Sequence, residues 1–322
     1  MKKTCMFVIM FVVCCTLGLP VSGSPSQKED IKPWAYKINV SVSEPGEGNR
    51  KDYPLELSIP FTEGKMKDNL QDIRIIDKEG NSLPFNFYQK EDKLYLFFIV
   101  DDIARSAKKE YTIYYGNPKS ESPPILSWQE FVCNPNNLIS APAFEDLTKM
   151  ERWKKVWAYS KDPLAYYLGE VPGDGLTPDY FHSGVHSMRI VGVSAGNPGR
   201  KRERKSISQV DICFDPRLKK GREVKICGWT KTIDINPSGG GLGYSAQYEY
   251  IKKPYEYQNL ECPKTAHDWE YASNTFSVKK NCKRIIRISL MYYNQTGNVY
   301  FDDIMVIRAP LKIAIETETL NK

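Results

Sequence analysis

Histidine is scarce, with three residues in a chain of 322. No Cys-x-x-Cys pair occurs, which removes the commonest zinc-site spacing. His182 and His186 are four apart, but no Glu follows the first and Gly184 lies between them, so the helical zinc-protease pattern is not met. The run Gly239-Gly240-Gly241-Leu242-Gly243 lacks the Lys and Ser/Thr of a phosphate loop, and a strand rather than a helix follows it. Among 39 acidic residues no spacing marks one catalytic pair, and no Ser or Cys has a base and an orienting group beside it. No segment sustains a 3.6-residue apolar period, and no internal repeat is visible. These absences point away from a metalloenzyme, a nucleotide-binding enzyme and a helical bundle, and toward a protein that is not an enzyme.

Tyr, at 20, is plentiful, and Phe and Trp add 13 and 6, while Gly and Pro stand at 21 each. Aromatic residues with many turn formers favour short strands. Residues 1–23 form a separate segment. Lys2 and Lys3 precede an apolar run from Met6 to Leu19, and Val21-Ser22-Gly23 supplies small residues for cleavage. This is the pattern of an export signal, and the run is short for a bilayer span. The expected protein is therefore secreted or held in the cell envelope, with no membrane span after cleavage. Loss of Lys2 and Lys3 leaves 43 basic and 39 acidic residues, a net charge of +4. The one dense basic cluster, Arg200 to Lys205, reads as a solvated loop or a docking point for an acidic polymer. Nothing else supports nucleic-acid binding. Five cysteines follow the leader: Cys133, Cys213, Cys227, Cys262 and Cys282. In an exported chain they allow two disulfides and one thiol, with Cys262–Cys282 the preferred pair.

Residues 33–118 read as a small β domain. Tyr53, Leu55, Leu57 and Ile59 alternate with other residues, Ile73 to Ile76 and Leu83 to Tyr88 flank a turn as a hairpin, and Leu94 to Val100 is continuously apolar. Residues 119–133, centred on Ser122-Pro123-Pro124, form the expected linker, with Trp128 able to dock it. Residues 134–309 carry strands at 187–192, 206–214, 223–231, 243–251, 274–279, 284–292 and 298–307. Residues 310–322 are a tail or one more strand. The fold class is all-β: a small N-terminal β-sandwich followed by a larger jelly-roll β-sandwich.

Flat aromatic faces with amides, carboxylates or Arg around them can hold a ligand that has both C–H and hydroxyl surfaces. Tyr244, Tyr248 and Tyr250 share parity on one strand, with Tyr255, Tyr257, Gln247, Glu249 and Gln258 nearby. Trp157 and Tyr159 lie where binding loops are expected. Strand aromatics are more often core than platform, and Trp229 and Trp269 are expected in the core. The candidate ligand-binding residues are Trp157, Tyr159, Tyr248 and Tyr250.

Several landmarks resemble a known family. They are Asn137-Leu138-Ile139-Ser140-Ala141-Pro142-Ala143-Phe144-Glu145-Asp146 with Trp153, the Ser183-Gly184 turn within His182 to Ile190, Trp229, Trp269 with Phe276 and Val278, and Gly297-Asn298-Val299-Tyr300-Phe301-Asp302-Asp303. In this order they resemble carbohydrate-binding modules of the family 4/9 type, with a galactose-binding-like jelly roll. The resemblance implies a glycan or polysaccharide ligand. It also implies a structural calcium held by Glu145 and by Asp302 or Asp303, with carbonyls near Ser183 to His186. Only one of the two Asp is expected to face the metal, since successive strand residues alternate. Residues 34–38, 72–84 and 111–118 are similar to DUF2341, a bacterial domain of unknown function found on exported proteins. A scaffold in a cell-surface complex, with protein partners and no sugar, is the first alternative reading, and a glycoside hydrolase is the second.

Overall fold

The computed structural model describes residues 30–67, 70–146, 153–157, 175–192, 204–210, 223–236, 241–250, 256–278, 282–293, 296–316 and 318–320. The leader at 1–23, Cys213 and Tyr159 lie outside them. Among the described residues the chain is all-β apart from one short helix, α1 (Trp128–Val132). No helix among them is long and apolar enough to cross a membrane.

The first sandwich is built from β1 (Tyr36–Ser43), β2 (Tyr53–Pro60), β3 (Ile73–Asp77), β4 (Ser82–Leu83), β5 (Phe85–Lys90), β6 (Lys93–Val100) and β7 (Lys108–Tyr115). One sheet has the order β2-β6-β5, and the other runs β1-β7-β3-β4. Asp77 closes the turn after β3 by accepting from the backbone and side-chain nitrogens of Asn81, both at 2.8 Å. The expected hairpin is cut short by Pro84. Its ring removes a ladder N–H, so β4 stays with β3 and β5 crosses to the other sheet.

The second sandwich contains β8 (Trp153–Trp157), β9 (Gly175–Thr177), β10 (Ser187–Val191), β11 (Arg204–Val210), β12 (Glu223–Ile233), β13 (Leu242–Tyr250), β14 (Glu256–Glu261), β15 (His267–Ser277), β16 (Cys282–Tyr293) and β17 (Asn298–Arg308). Its sheets have the orders β15-β12-β17-β10-β9 and β14-β13-β16-β11-β8. Val224, Ile226, Met188, Ile190, Val299 and Phe301 meet Tyr244, Ala246, Tyr248, Ile288 and Leu290 in the core between them. The strand expected at 274–279 begins earlier, at His267, because its polar and aromatic residues conceal the alternation.

The last residues return to the first sandwich. β18 (Lys312–Ile315) and β19 (Thr319–Leu320) both pair antiparallel with β1. Glu318 ties this return to Lys65 and to the Tyr115 hydroxyl. The sheet that opens the chain therefore also receives its end.

The two sandwiches share a core. In β6, Phe98 packs on Tyr111 inside the first sandwich, while Phe97 meets Trp128 at 4.5 Å and Tyr271 at 5.0 Å. That explains a strand apolar on both faces: each face has its own partner layer. Glu56 on β2 fixes the polar side of the seam. It accepts from Tyr271 Oη at 2.5 Å and Ser273 Oγ at 2.9 Å, and pairs with Lys225 Nζ at 2.6 Å. Lys90 pairs with Glu270 nearby. The segment 119–133 is docked rather than loose. The Phe85 N–H donates to the Pro124 carbonyl and the Phe85 carbonyl accepts from the Leu126 N–H, and Ser127 and Glu130 form a capping box on α1.

No disulfide joins the four described cysteines, so the expected Cys262–Cys282 pair is absent; Cys227 and Cys262 are buried thiols. Burial pushes both the Cys227 and Cys262 thiols up to about 12, where they are neither thiolate nor accessible. Two outcomes are expected. Mass mapping after maleimide treatment of the folded protein should find Cys133 labelled and Cys227 and Cys262 unmodified. Ending the chain at Ala309 removes β18, β19 and buried Leu311, and should lower the thermal midpoint by at least roughly 5 °C.

Candidate functional site

The opening segment of the second sandwich is sewn to its last strand. Asn137 donates through Nδ2 to the Ile304 carbonyl at 2.8 Å and accepts at Oδ1 from Val306 N–H at 2.9 Å. The Ile304 N–H donates to the Pro142 carbonyl at 3.0 Å. Glu145, Asp302 and Asp303 thereby reach one common partner, the loop His182–His186. Glu145 Oε1 accepts from the backbone N–H of Val185 at 2.7 Å and of His186 at 2.8 Å. Asp302 Oδ2 accepts from His182 N–H at 2.8 Å and Ser183 N–H at 3.2 Å, and its Oδ1 from Asp303 N–H at 2.8 Å. Asp303 faces the His182 ring Nδ1 at 2.7 Å and the Ser183 hydroxyl at 2.8 Å.

Both Asp residues address the loop, against the expectation that alternation would turn one away. Asp303 has a φ of 47°, and the ladder to β12 slips between Cys227 and Trp229, so the pleat is interrupted at this point. Burial drives the Asp302 carboxyl well above the usual carboxylate range, and the neighbouring Asp303 charge adds to it.

This geometry does not suit the calcium the resemblance implies. Calcium takes six to eight oxygens. Here the oxygens of Glu145 and Asp302 already face N–H donors, which repel a cation. Among the described residues no group of three or more His, Cys, Asp or Glu forms a metal cluster.

The sheet containing β12, β15 and β17 has its outer face occupied. Trp229 is 3% exposed. The His182 ring stacks on it at 3.8 Å, and Trp128 meets it edge-on at 5.2 Å. Tyr88 from the first sandwich meets it at 4.7 Å. Trp229 and Trp269 thus belong to the seam between sandwiches; Trp269 is half-buried against it. At the far end, Tyr180 covers Tyr300, and Lys231 lies over the Tyr180 ring at 5.0 Å. Lys231 pairs with Asp268 and Arg189 with Asp179, each at 2.5 Å.

The other sheet resolves the tyrosine question differently from the sequence expectation. Tyr248 is fully buried, as is Tyr244, whose hydroxyl donates to the Trp229 carbonyl at 3.0 Å. A buried ring offers no face to a ligand, so Tyr248 is a core residue and not a platform. The side chains of Tyr250 and Trp157 lie outside the described residues; Trp157 pairs with Lys205 in the β8–β11 ladder. Because Tyr244, Ala246 and Tyr248 point inward, Ser245 and Gln247 stand on the outer face.

The ladders then bring a row into register. Gln247 on β13 lies opposite Tyr257 on β14 and Arg287 on β16. One step along, Ser245 lies opposite Asn259 and Ser289, and Ser245 Oγ donates to Asn259 Oδ1 at 2.7 Å. Ser245, Gln247 and Ser289 are buried polar residues on the central strands, whereas Tyr257, on the edge strand, is 54% exposed. The face is thus a polar stripe, the trough, buried at its centre and carrying an exposed aromatic ring at its edge strand. Tyr257 and Gln247 stood beside the predicted residues in sequence; Arg287 and Asn259 were not anticipated. The signal for them was the polar parity of β13, Ser245-x-Gln247-x-Glu249.

No family model matches the chain. No curated protein matches it either. Among solved structures it is similar to the C-terminal family 22 carbohydrate-binding module of Clostridium thermocellum Xyn10B, at 13% identity and a TM-score of 0.37, covering 55% of this chain and 96% of that one. It is similar to TmCBM61 in complex with β-1,4-galactotriose, at 12% identity and a TM-score of 0.32, covering 53% and 98%. It is also similar to the CBM22-1 and GH10 modules of Clostridium thermocellum Xyn10B complexed with xylohexaose, at 12% identity and a TM-score of 0.34, covering 49% of this chain and 26% of that one. This chain thus spans about a quarter of that last structure. The sandwich assignment rests on the sheets themselves.

The clasp around the loop makes two results measurable. Gly184 has a φ of +68°, and a Cβ there would stand 2.3 Å from Glu145 Oε1. Gly184→Ala should cost about 2 kcal/mol in denaturant unfolding. Calcium or a chelator should leave the thermal midpoint within about 1 °C, whereas a rise of many degrees with calcium would show that the metal displaces these hydrogen bonds.

Proposed function

We propose that the protein binds a glycan non-covalently on the outer face of the β14-β13-β16-β11-β8 sheet. The observation that carries this reading is the in-register row of Tyr257, Gln247 and Arg287. An exposed phenol ring can lie against the C–H face of a pyranose, and the amide and guanidinium beside it match sugar hydroxyls. The neighbouring Ser245, Asn259 and Ser289 extend the same chemistry. Asn259 uses its carbonyl oxygen on Ser245, which leaves its amide N–H groups as donors. The other sheet supports the choice of face, because its outer surface is taken by the first sandwich and by Tyr180 and His182.

In this reading the chain acts by binding and not by catalysis. The Asp302–Asp303 pair is engaged by the loop it holds, through His182 N–H on Asp302 and the Ser183 hydroxyl on Asp303. The leader at 1–23 supports a location outside the cytoplasm, secreted or in the envelope. A scaffold role without sugar is favoured by one observation, the burial of Trp229 and Tyr271 in the seam. There the first sandwich is a fixed partner rather than a spacer.

Affinity electrophoresis and calorimetry against a panel of polysaccharides test the proposal. Tyr257→Ala should weaken binding by roughly tenfold or more with an unchanged thermal midpoint, a loss of about 1.4 kcal/mol. Tyr248→Phe should leave affinity untouched. If no polysaccharide binds the intact chain, the scaffold reading takes its place.

A further inference from the structure

Cations at the outer face of the β15-β12-β17-β10-β9 sheet and along the seam have counter-ions: Lys225 has Glu56, Lys231 has Asp268, Arg189 has Asp179 and Lys90 has Glu270. Arg287, in the trough, has none among the described residues. It is half-buried, and its Nε is buried with no acceptor in reach. Withdrawing a guanidinium N–H from water without a partner is costly. A guanidinium in that state gains from an external acceptor at its remaining N–H groups.

Carboxylates of the same sheet face do not serve it. Glu261 faces Lys264 at 3.8 Å, and Glu249 has interactions of its own. The basic run Arg200 to Lys205 leads directly into β11.

We infer that the ligand of the trough is a glycan carrying anionic groups, carboxylate or sulfate ester, with Arg287 as the residue that reads the charge. The inference rests on the proposed reading of this face as a glycan site. The planar fork of a guanidinium matches both anions with two parallel N–H···O bonds, which a neutral hydroxyl cannot supply. Tyr257 then holds the ring, Gln247 lies between the two, and Arg287 holds the anion.

The intact chain is titrated with four polymers: unsubstituted xylan and a mixed-linkage β-glucan as neutral probes, polygalacturonate as the carboxylate probe, and a sulfated galactan as the sulfate probe. Binding to at least one anionic polymer and to neither neutral one is expected, and the two anionic arms identify which group is read. Affinity should fall steeply between about 50 mM and about 500 mM salt. Arg287→Gln should weaken that binding roughly tenfold to a hundredfold. Arg287→Lys keeps the charge and the aliphatic stem but not the planar fork, so it should restore only part of the affinity lost in Arg287→Gln, and an unchanged thermal midpoint in both variants shows that the loss is not misfolding. Salt-insensitive binding of a neutral polymer that depends on Tyr257 but not on Arg287 would overturn the inference and leave the glycan reading standing. Binding of none of the four overturns both.

Discussion

The interaction on which the rest depends is the burial of one jelly-roll sheet face by the first sandwich. Trp229, Tyr271, Met305 and Ile307 leave the second sandwich and enter the core of the first. Water is excluded from both, so an apolar sheet face that each would expose as a separate domain is removed from water as well. Glu56 makes this contact directional. A carboxylate that is 8% exposed must find donors, and it finds three on β12 and β15. Sliding the sandwiches by one residue would strand that charge. The seam is therefore a fixed joint, and the return of β18 and β19 to β1 closes it from the other end.

A second constraint follows from the carboxylates that the seam does not use. Three acids converge on five residues of loop, and the loop answers with backbone N–H groups. Anions and amide hydrogens are a stable local solution without metal, since each bond is charge-assisted. The cost appears at Asp302, whose burial favours its protonated form. The loop is held so that the His182 ring lies flat on Trp229, and this places the Asp–His pair beside the seam rather than beside the trough.

The alternation from Tyr53 to Ile59 located β2, which has one dry face, and the strand expected at 298–307 is β17, buried along nearly its whole length. β6 was legible as doubly buried, though not what buried it. The sequence failed where a strand is polar on both faces, as in β14 and much of β15, and where Pro84 splits one apolar run between two sheets. At the candidate site, the parity of Tyr244 and Tyr248 was read correctly, but the face assigned to it was wrong. Aromatic rings with Ala246 between them describe a core stripe. The outward-facing stripe of the same strand is Ser245, Gln247 and Glu249, and polar residues on a central strand are the anomaly that marks it. Arg287 lay beyond reach because its place beside Gln247 depends on the register of β16, which a slip next to Tyr248 shifts.

Joint and trough are connected through rigidity. The trough's central side chains, Ser245, Gln247 and Ser289, stand on the same strands whose inner residues, Tyr244, Ala246, Tyr248, Ile288 and Leu290, are fully buried. Those inner residues pack on β12 and β17, the strands clamped by the first sandwich. The positions of the polar groups are thus set by a core that is itself set by the seam, two layers away. A binding face ordered before the ligand arrives loses less entropy on binding, which matters most for weak, shallow contacts with sugars. The first sandwich need not touch the ligand to contribute: it holds the opposite sheet still.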